Sequence, residues 1–125
     1  DPISLLDGPM ANAVFETYVF SEIYKSCINQ GIEPIFSYFK TKRQSSATLL
    51  IYQEDCIHPI QIKLTASPFR DYKDKSNFLA SIEDLKKLCE HSNSKINIAQ
   101  GAVICMCEDV LPIDHKNNFV PVWLI

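Results

Sequence analysis

Only 3 glycines and one tryptophan occur among the 125 residues, and no tract is biased toward a few residue types, so low-complexity disorder and internal repeats are not expected. No apolar run approaches the roughly 18 residues that span a bilayer, and no charged-then-apolar leader opens the chain. No membrane partner is therefore expected, and a cytoplasmic location is. Neither charge sign dominates: 12 Lys and Arg against 15 Asp and Glu leave a formal net charge of −3. That balance supplies no global attraction for nucleic acid, so any such binding must rest on a local patch. The signatures GxxxxGK[ST], GxSxG and HExxH are all missing, which removes the phosphate loop of an ATPase, the nucleophile elbow of a hydrolase and a zinc-protease site. No cofactor is implied.

The five cysteines are odd in number and none are spaced as CxxC, which speaks against both a disulfide scaffold and a zinc ribbon. Reduced thiols are expected. Cys56/His58 and Cys89/His91 together offer four ligands for a tetrahedral site, but residues two apart on a helix point about 200° apart, and the second pair closes a helix. Buried thiols and surface imidazoles account for them, and no metal site is expected. Cys105 and Cys107 share one face of a strand, ordinary core behaviour for free cysteine.

What is present is a chain 46% hydrophobic and 22% charged, enough for one compact domain with a real core over residues 1–125. The opening DPISLLDGPM reads as a connector from a missing upstream region. From Ala11 to Gln30, Phe15, Tyr18, Val19, Ile23 and Cys27 recur at helical spacing and Gly31 follows as a stop signal. On this helix Glu22 lies two turns after Phe15 and is expected to face the core, where it needs a partner; Glu16 points about 100° away. Three strand-like segments follow, Pro34 to Lys40, Ala47 to Gln53 and Ile57 to Thr65, an antiparallel meander with short polar connections. A polar loop is expected through Lys75, then a helix from Asn77 to His91, with Ser81-Ile82-Glu83-Asp84 offering a capping-box-like entry if the helix starts later. Ile96 to Met106 reads as a buried strand interrupted by Gly101, at a bulge or a boundary, and Phe119 to Ile125 as a terminal strand. A mixed α/β sheet with a helix on each side is the economical packing of this order.

Lys40, Lys42 and Arg43 cluster at the tip of the first hairpin, with Phe36, Tyr38 and Phe39 nearby. A solvated hairpin is the default, and contact with DNA backbone is the functional alternative. In the third strand Gln61, Lys63 and Thr65 share one face, with Ile60, Ile62 and Leu64 on the other. The triplet looks like the second half of the PD-(D/E)xK motif.

Several ordered segments resemble one family, the C-terminal domain of unknown function carried by a class of prokaryotic AAA-family ATPases. They are Gly8-Pro9-Met10 leading into Phe15-Glu16-Thr17-Tyr18-Val19 and Ser21-Glu22-Ile23; then Leu49-Leu50-Ile51; then His58-Pro59-Ile60-Gln61-Ile62-Lys63-Leu64-Thr65-Ala66; and last Val110-Leu111-Pro112-Ile113 and Val120-Pro121-Val122-Trp123. The resemblance implies a restriction-endonuclease-like fold of the PD-(D/E)xK superfamily, in which two strand carboxylates and often a helix-one glutamate hold a divalent ion and a lysine positions the attacking water.

This chain departs from that pattern at the chemistry. Where the family shows E-I-D before Leu-Leu-Ile, the sequence reads Ser46-Ala47-Thr48, and the strand-three glutamate is Gln61. Thr48, Gln61, Lys63, Glu16 and Glu22 are thus remnant positions, expected to gather in one pocket facing the first helix, with Lys63 paired to Glu22 or Glu16. Neither threonine nor glutamine replaces a carboxylate's charge toward Mg²⁺. The expected function is a non-catalytic accessory or regulatory domain, not an enzyme, contacting its own ATPase domains, a protein partner or DNA backbone. The alternative is an active metal nuclease using Glu16 or Glu22 with Glu54 or Asp55.

Overall fold

A computed structural model describes residues 10–41, 47–64, 72–92 and 95–125. Its first element is helix α1, Ala11–Asn29. Ala11, Phe15, Val19 and Ile23 are buried along one stripe, and each of the three larger side chains contributes about 1.5–3 kcal/mol by leaving water. Gly31, at φ 75, reverses the chain, and the N–H of Ile32 returns to the carbonyl of Cys27 at 2.9 Å, which closes the helix end.

The meander follows as β1 (Ile35–Phe39), β2 (Thr48–Gln53) and β3 (Cys56–Ile62), paired antiparallel. Residues 42–46, at the tip between β1 and β2, lie outside the described residues. Helix α2 spans Tyr72–His91, starting five residues before the expected Asn77. Of the polar run that suggested a loop through Lys75, residues 72–75 are helical and residues 65–71 lie outside the described residues; Asp74 sits in the first turn, where the helix dipole favours an acid, and His91 in the last. Ser81 is therefore mid-helix rather than a cap.

The segment around Gly101 resolves into a boundary between two strands, β4 (Asn97–Ile98) and β5 (Ala102–Cys105). Both run parallel to β3. A Cβ at Gly101 would lie 2.2 Å from the carbonyl oxygen of Pro59, so only glycine fits this close approach. A short strand that the sequence did not suggest, β6 (Leu111–Pro112), pairs antiparallel with β7 (Asn118–Pro121). The chain does not end on a strand running to Ile125: after Pro121 it turns into a 3₁₀ segment, Val122–Leu124, with Trp123 and Leu124 exposed.

The result is an α/β domain with a mixed, open, seven-stranded sheet in the order β1-β2-β3-β5-β7-β6, with β4 beside β3. Side-chain alternation sorts the core into two layers. Leu49, Ile60, Ile62 and Ile104 meet Phe15, Val19 and Ile23 of α1 on one face. On the other, Leu50 and Ile57 meet Leu85, while Val103, Cys105 and Phe119 meet Phe78 and Ile82 of α2. No helix among the described residues is long and apolar enough to cross a membrane.

Candidate functional site

The register that sets Leu49 opposite Ile60 also brings Thr48 level with Gln61 on the neighbouring strand. Both side chains point to the α2 face, and there the Gln61 amide nitrogen donates to Thr48 Oγ1 and to Ser81 Oγ, each at 3.0 Å. Ser81 in turn donates to the carbonyl of Asn77 at 2.9 Å, one helical turn back. All three residues are at most 2% exposed. One acceptor is left over: Gln61 Oε1 is buried without a hydrogen-bond partner.

The expectation that Thr48, Gln61 and Lys63 face the first helix is corrected here, since the strand alternation that buries Leu49 and Ile60 under α1 turns Thr48 and Gln61 toward α2. Lys63 extends the ladder past β3, its N–H donating to the carbonyl of Ile104 at 2.9 Å. Alternation carries its half-buried side chain toward the same side as Gln61. The two helix acids lie across the sheet. Glu22 is half-buried rather than core-facing, and its carboxylate takes Lys25 at 3.4 Å, one turn on along the same helix. Glu16 is exposed and lines a groove of about 220 Å³ with Thr17, Phe20, Tyr38, Leu49 and Ile60. The five remnant positions are thus divided between two faces.

A divalent ion does not fit this arrangement. A hard cation needs carboxylate or carbonyl oxygens, yet the centre of the trio is an amide NH₂ that presents protons to both neighbouring hydroxyls. A single orphan oxygen does not make a site. Among the described residues no three of His, Cys, Asp and Glu come together. Glu54 and Asp55 occupy the turn between β2 and β3, roughly 20 Å along the strand from Gln61 at 3.3 Å per residue. The two Cys-x-His pairs stay apart as well: Cys89 packs with Leu50 and Ile57 beneath α2, while His58 Nδ1 bonds the carbonyl of Gln100 at 2.8 Å. Lys40 is exposed just past β1, and Lys42 and Arg43 lie outside the described residues.

Some polar features were not anticipated. Ser81 follows Phe78 and precedes Ile82 and Leu85 on the buried stripe of α2, and that spacing marks it as inward-facing. Asp114 accepts from the backbone N–H groups of Lys116 and Asn117 at 2.8 and 2.7 Å, and Asn117 accepts from Gly101 N–H at 2.8 Å. Burial alone would raise the Asp114 carboxyl, but these hydrogen bonds outweigh it and hold the group below its ordinary value. Strand β5 ends at Cys105, so Cys107 lies beyond the strand rather than on it, yet the two buried sulfurs stand 2.9 Å apart. Burial first, then the hydrogen bond to Cys107, pushes the Cys105 thiol up to about 12.

The family model described as domain of unknown function (DUF4143) matches residues 11–125. The chain belongs to that family. No curated protein and no solved structure matched it. The described elements of this DUF4143 domain all fall within the matched span.

Proposed function

We propose that this DUF4143 domain is a non-catalytic accessory interaction module of an AAA-family ATPase, built on a degenerate restriction-endonuclease-like fold and working in the cytoplasm. The observation that carries the non-catalytic part is the Gln61 amide, bonded to Thr48 and Ser81 and sealed beneath α2. At the two strand positions where the resemblance calls for metal-binding carboxylates, the chain has a neutral hydrogen-bonded pair that serves the core. A buried polar group is tolerated when it is paired, and this pair also fixes strand register and the seat of α2. The link to an ATPase rests on the ordered segments from Phe15 to Trp123 that resemble the C-terminal domain of such proteins.

Two experiments test the two halves of the reading. For the ancestry, the double change Thr48→Asp with Gln61→Glu restores both strand carboxylates. It is expected to destabilise the domain without metal and to make its melting temperature respond to low-millimolar Mn²⁺, unlike the wild type. A double variant indifferent to Mn²⁺ removes the nuclease ancestry. For the role, deleting residues 11–125 from the full-length protein should change its ATP hydrolysis rate or its assembly while leaving nucleotide binding intact. Unchanged turnover and assembly would contradict an accessory function.

A further inference from the structure

Strand β5 ends at Cys105, and the chain bends at Met106 before it reaches Cys107. Alternation sends Met106 into the layer under α1 and both cysteines into the layer under α2, among Phe78, Ile82, Ile113 and Phe119. The other three thiols sit on separate elements, Cys27 on α1, Cys56 on β3 and Cys89 on α2. In a fully extended chain, residues two apart stand near the upper limit of the Cα separation that a disulfide can span, and the bend at Met106 relaxes that limit. The sulfurs of Cys105 and Cys107, 2.9 Å apart, need to approach by only about 0.9 Å to reach the roughly 2.0 Å of a disulfide bond.

We propose that Cys105 and Cys107 are a thiol-redox site, a dithiol that closes to an intrachain disulfide by exchange with a small-molecule disulfide and reopens in excess thiol. Both sulfurs are at most 1% exposed, so exchange waits for local opening of the segment that follows, where Glu108, Asp109 and Val110 are exposed. Entry is therefore at Cys107. Its Sγ loses a proton and attacks one sulfur of the small disulfide, so that a mixed disulfide forms, the S–S bond of the reagent breaks and one thiolate leaves. Cys105 Sγ, deprotonated in turn, attacks Cys107 Sγ and expels the second thiolate. The cysteine pair gives up two electrons, the reagent is reduced to two thiols, and the two protons end on those thiols. A bridge across a single intervening residue is strained, and strained disulfides are the readily reduced ones. The pair thus rests as a dithiol in reducing surroundings and closes under oxidant load, which makes it a switch. This inference stands independently of any upstream ATPase.

For the test, the folded 125-residue chain is equilibrated with oxidised and reduced glutathione, quenched with acid, unfolded and alkylated before mass spectrometry. Cleavage after Lys95 and Lys116 releases Cys105 and Cys107 in one peptide. That peptide should carry no alkyl group and lack both thiol hydrogens, and reduction before alkylation should restore both groups. The variant Cys27→Ala/Cys56→Ala/Cys89→Ala, which touches neither sulfur, should lose both of its remaining thiols in the same way. Because the fold holds the sulfurs near bonding distance, the exchange equilibrium constant should be at least about tenfold larger in the folded chain than in the isolated Ile96–Lys116 peptide. Equal constants in chain and peptide overturn the proposal. So does a folded chain in which Cys105 and Cys107 both remain free thiols in excess oxidised glutathione at about pH 8.5, or one in which either is linked to another cysteine.

Discussion

Replacing Gln61 by glutamate changes one nitrogen for an oxygen in a pocket at most 2% exposed, and the outcome depends on whether that pocket is dry and neutral. A glutamate in the unfolded chain titrates near 4.3, whereas a fully buried one is driven toward roughly 8 or 9 by desolvation. Among the described residues no positive group bonds the Gln61 amide; its partners are two hydroxyls. Between these two values the unfolded state is ionised and the folded state holds a proton. The sign follows: the variant keeps its stability below about pH 4 and loses it as pH rises, by about 1.4 kcal/mol per unit. At pH 7 the loss is roughly 3–4 kcal/mol, a large share of the stability of a domain this size. Urea unfolding of wild type and variant, followed by circular dichroism from pH 4.5 to 8, measures it directly. Parallel curves for the two proteins would refute the reasoning, because they would mean the carboxylate ionises inside the fold at no penalty and the site is wet or cation-lined.

Other substitutions test the same packing. Gly101→Ala places a methyl 2.2 Å from the backbone oxygen of Pro59 and should destabilise by about 2–4 kcal/mol in the same assay. A loss under about half a kcal/mol would mean the strands do not approach as described. For Cys105, the folded thiol near 12 against 9.0 unfolded means that native protein holds a proton the unfolded chain has released. Stability should then fall as pH rises through that window, by on the order of a few kcal/mol, and Cys105→Ala should flatten the fall. Any DNA affinity should be weak, independent of sequence and steeply salt-dependent, and should vanish when Lys40, Lys42 and Arg43 are all changed to alanine; filter binding across salt concentrations decides it.

The two-layer arrangement was readable because periodicity reports burial: Phe15, Val19 and Ile23 at helical spacing, and the alternation of Ile60 and Ile62 with Gln61, give the two faces directly. Boundaries were less legible. The start of α2 hid in a charged run whose helicity comes from docking Phe78, Ile82 and Leu85 rather than from its own pattern, and β6 is too short to carry any pattern at all. The pairing of Thr48 with Gln61 follows from hairpin register, but the identity of the covering helix does not, because alternation says which residues share a face and not which helix lies over it. Ser81 lies on the apolar stripe of α2, and Ser-Ile-Glu-Asp also has the form of a helix entry, so the sequence leaves open both a mid-helix position and a cap for a later start. Glu22 looked buried from its angle relative to Phe15, yet its length lets the carboxylate reach Lys25 at the rim.

The central claim, that Thr48 and Gln61 form a neutral core contact and not a metal site, is tested most directly by titrating Mg²⁺ and Mn²⁺ into the wild-type domain by calorimetry, with single- and double-stranded DNA cleavage followed in the same samples. The account predicts no binding heat at low-millimolar metal and no cleavage above a metal-free control. Saturable metal binding with cleavage that is lost in Lys63→Ala would contradict it.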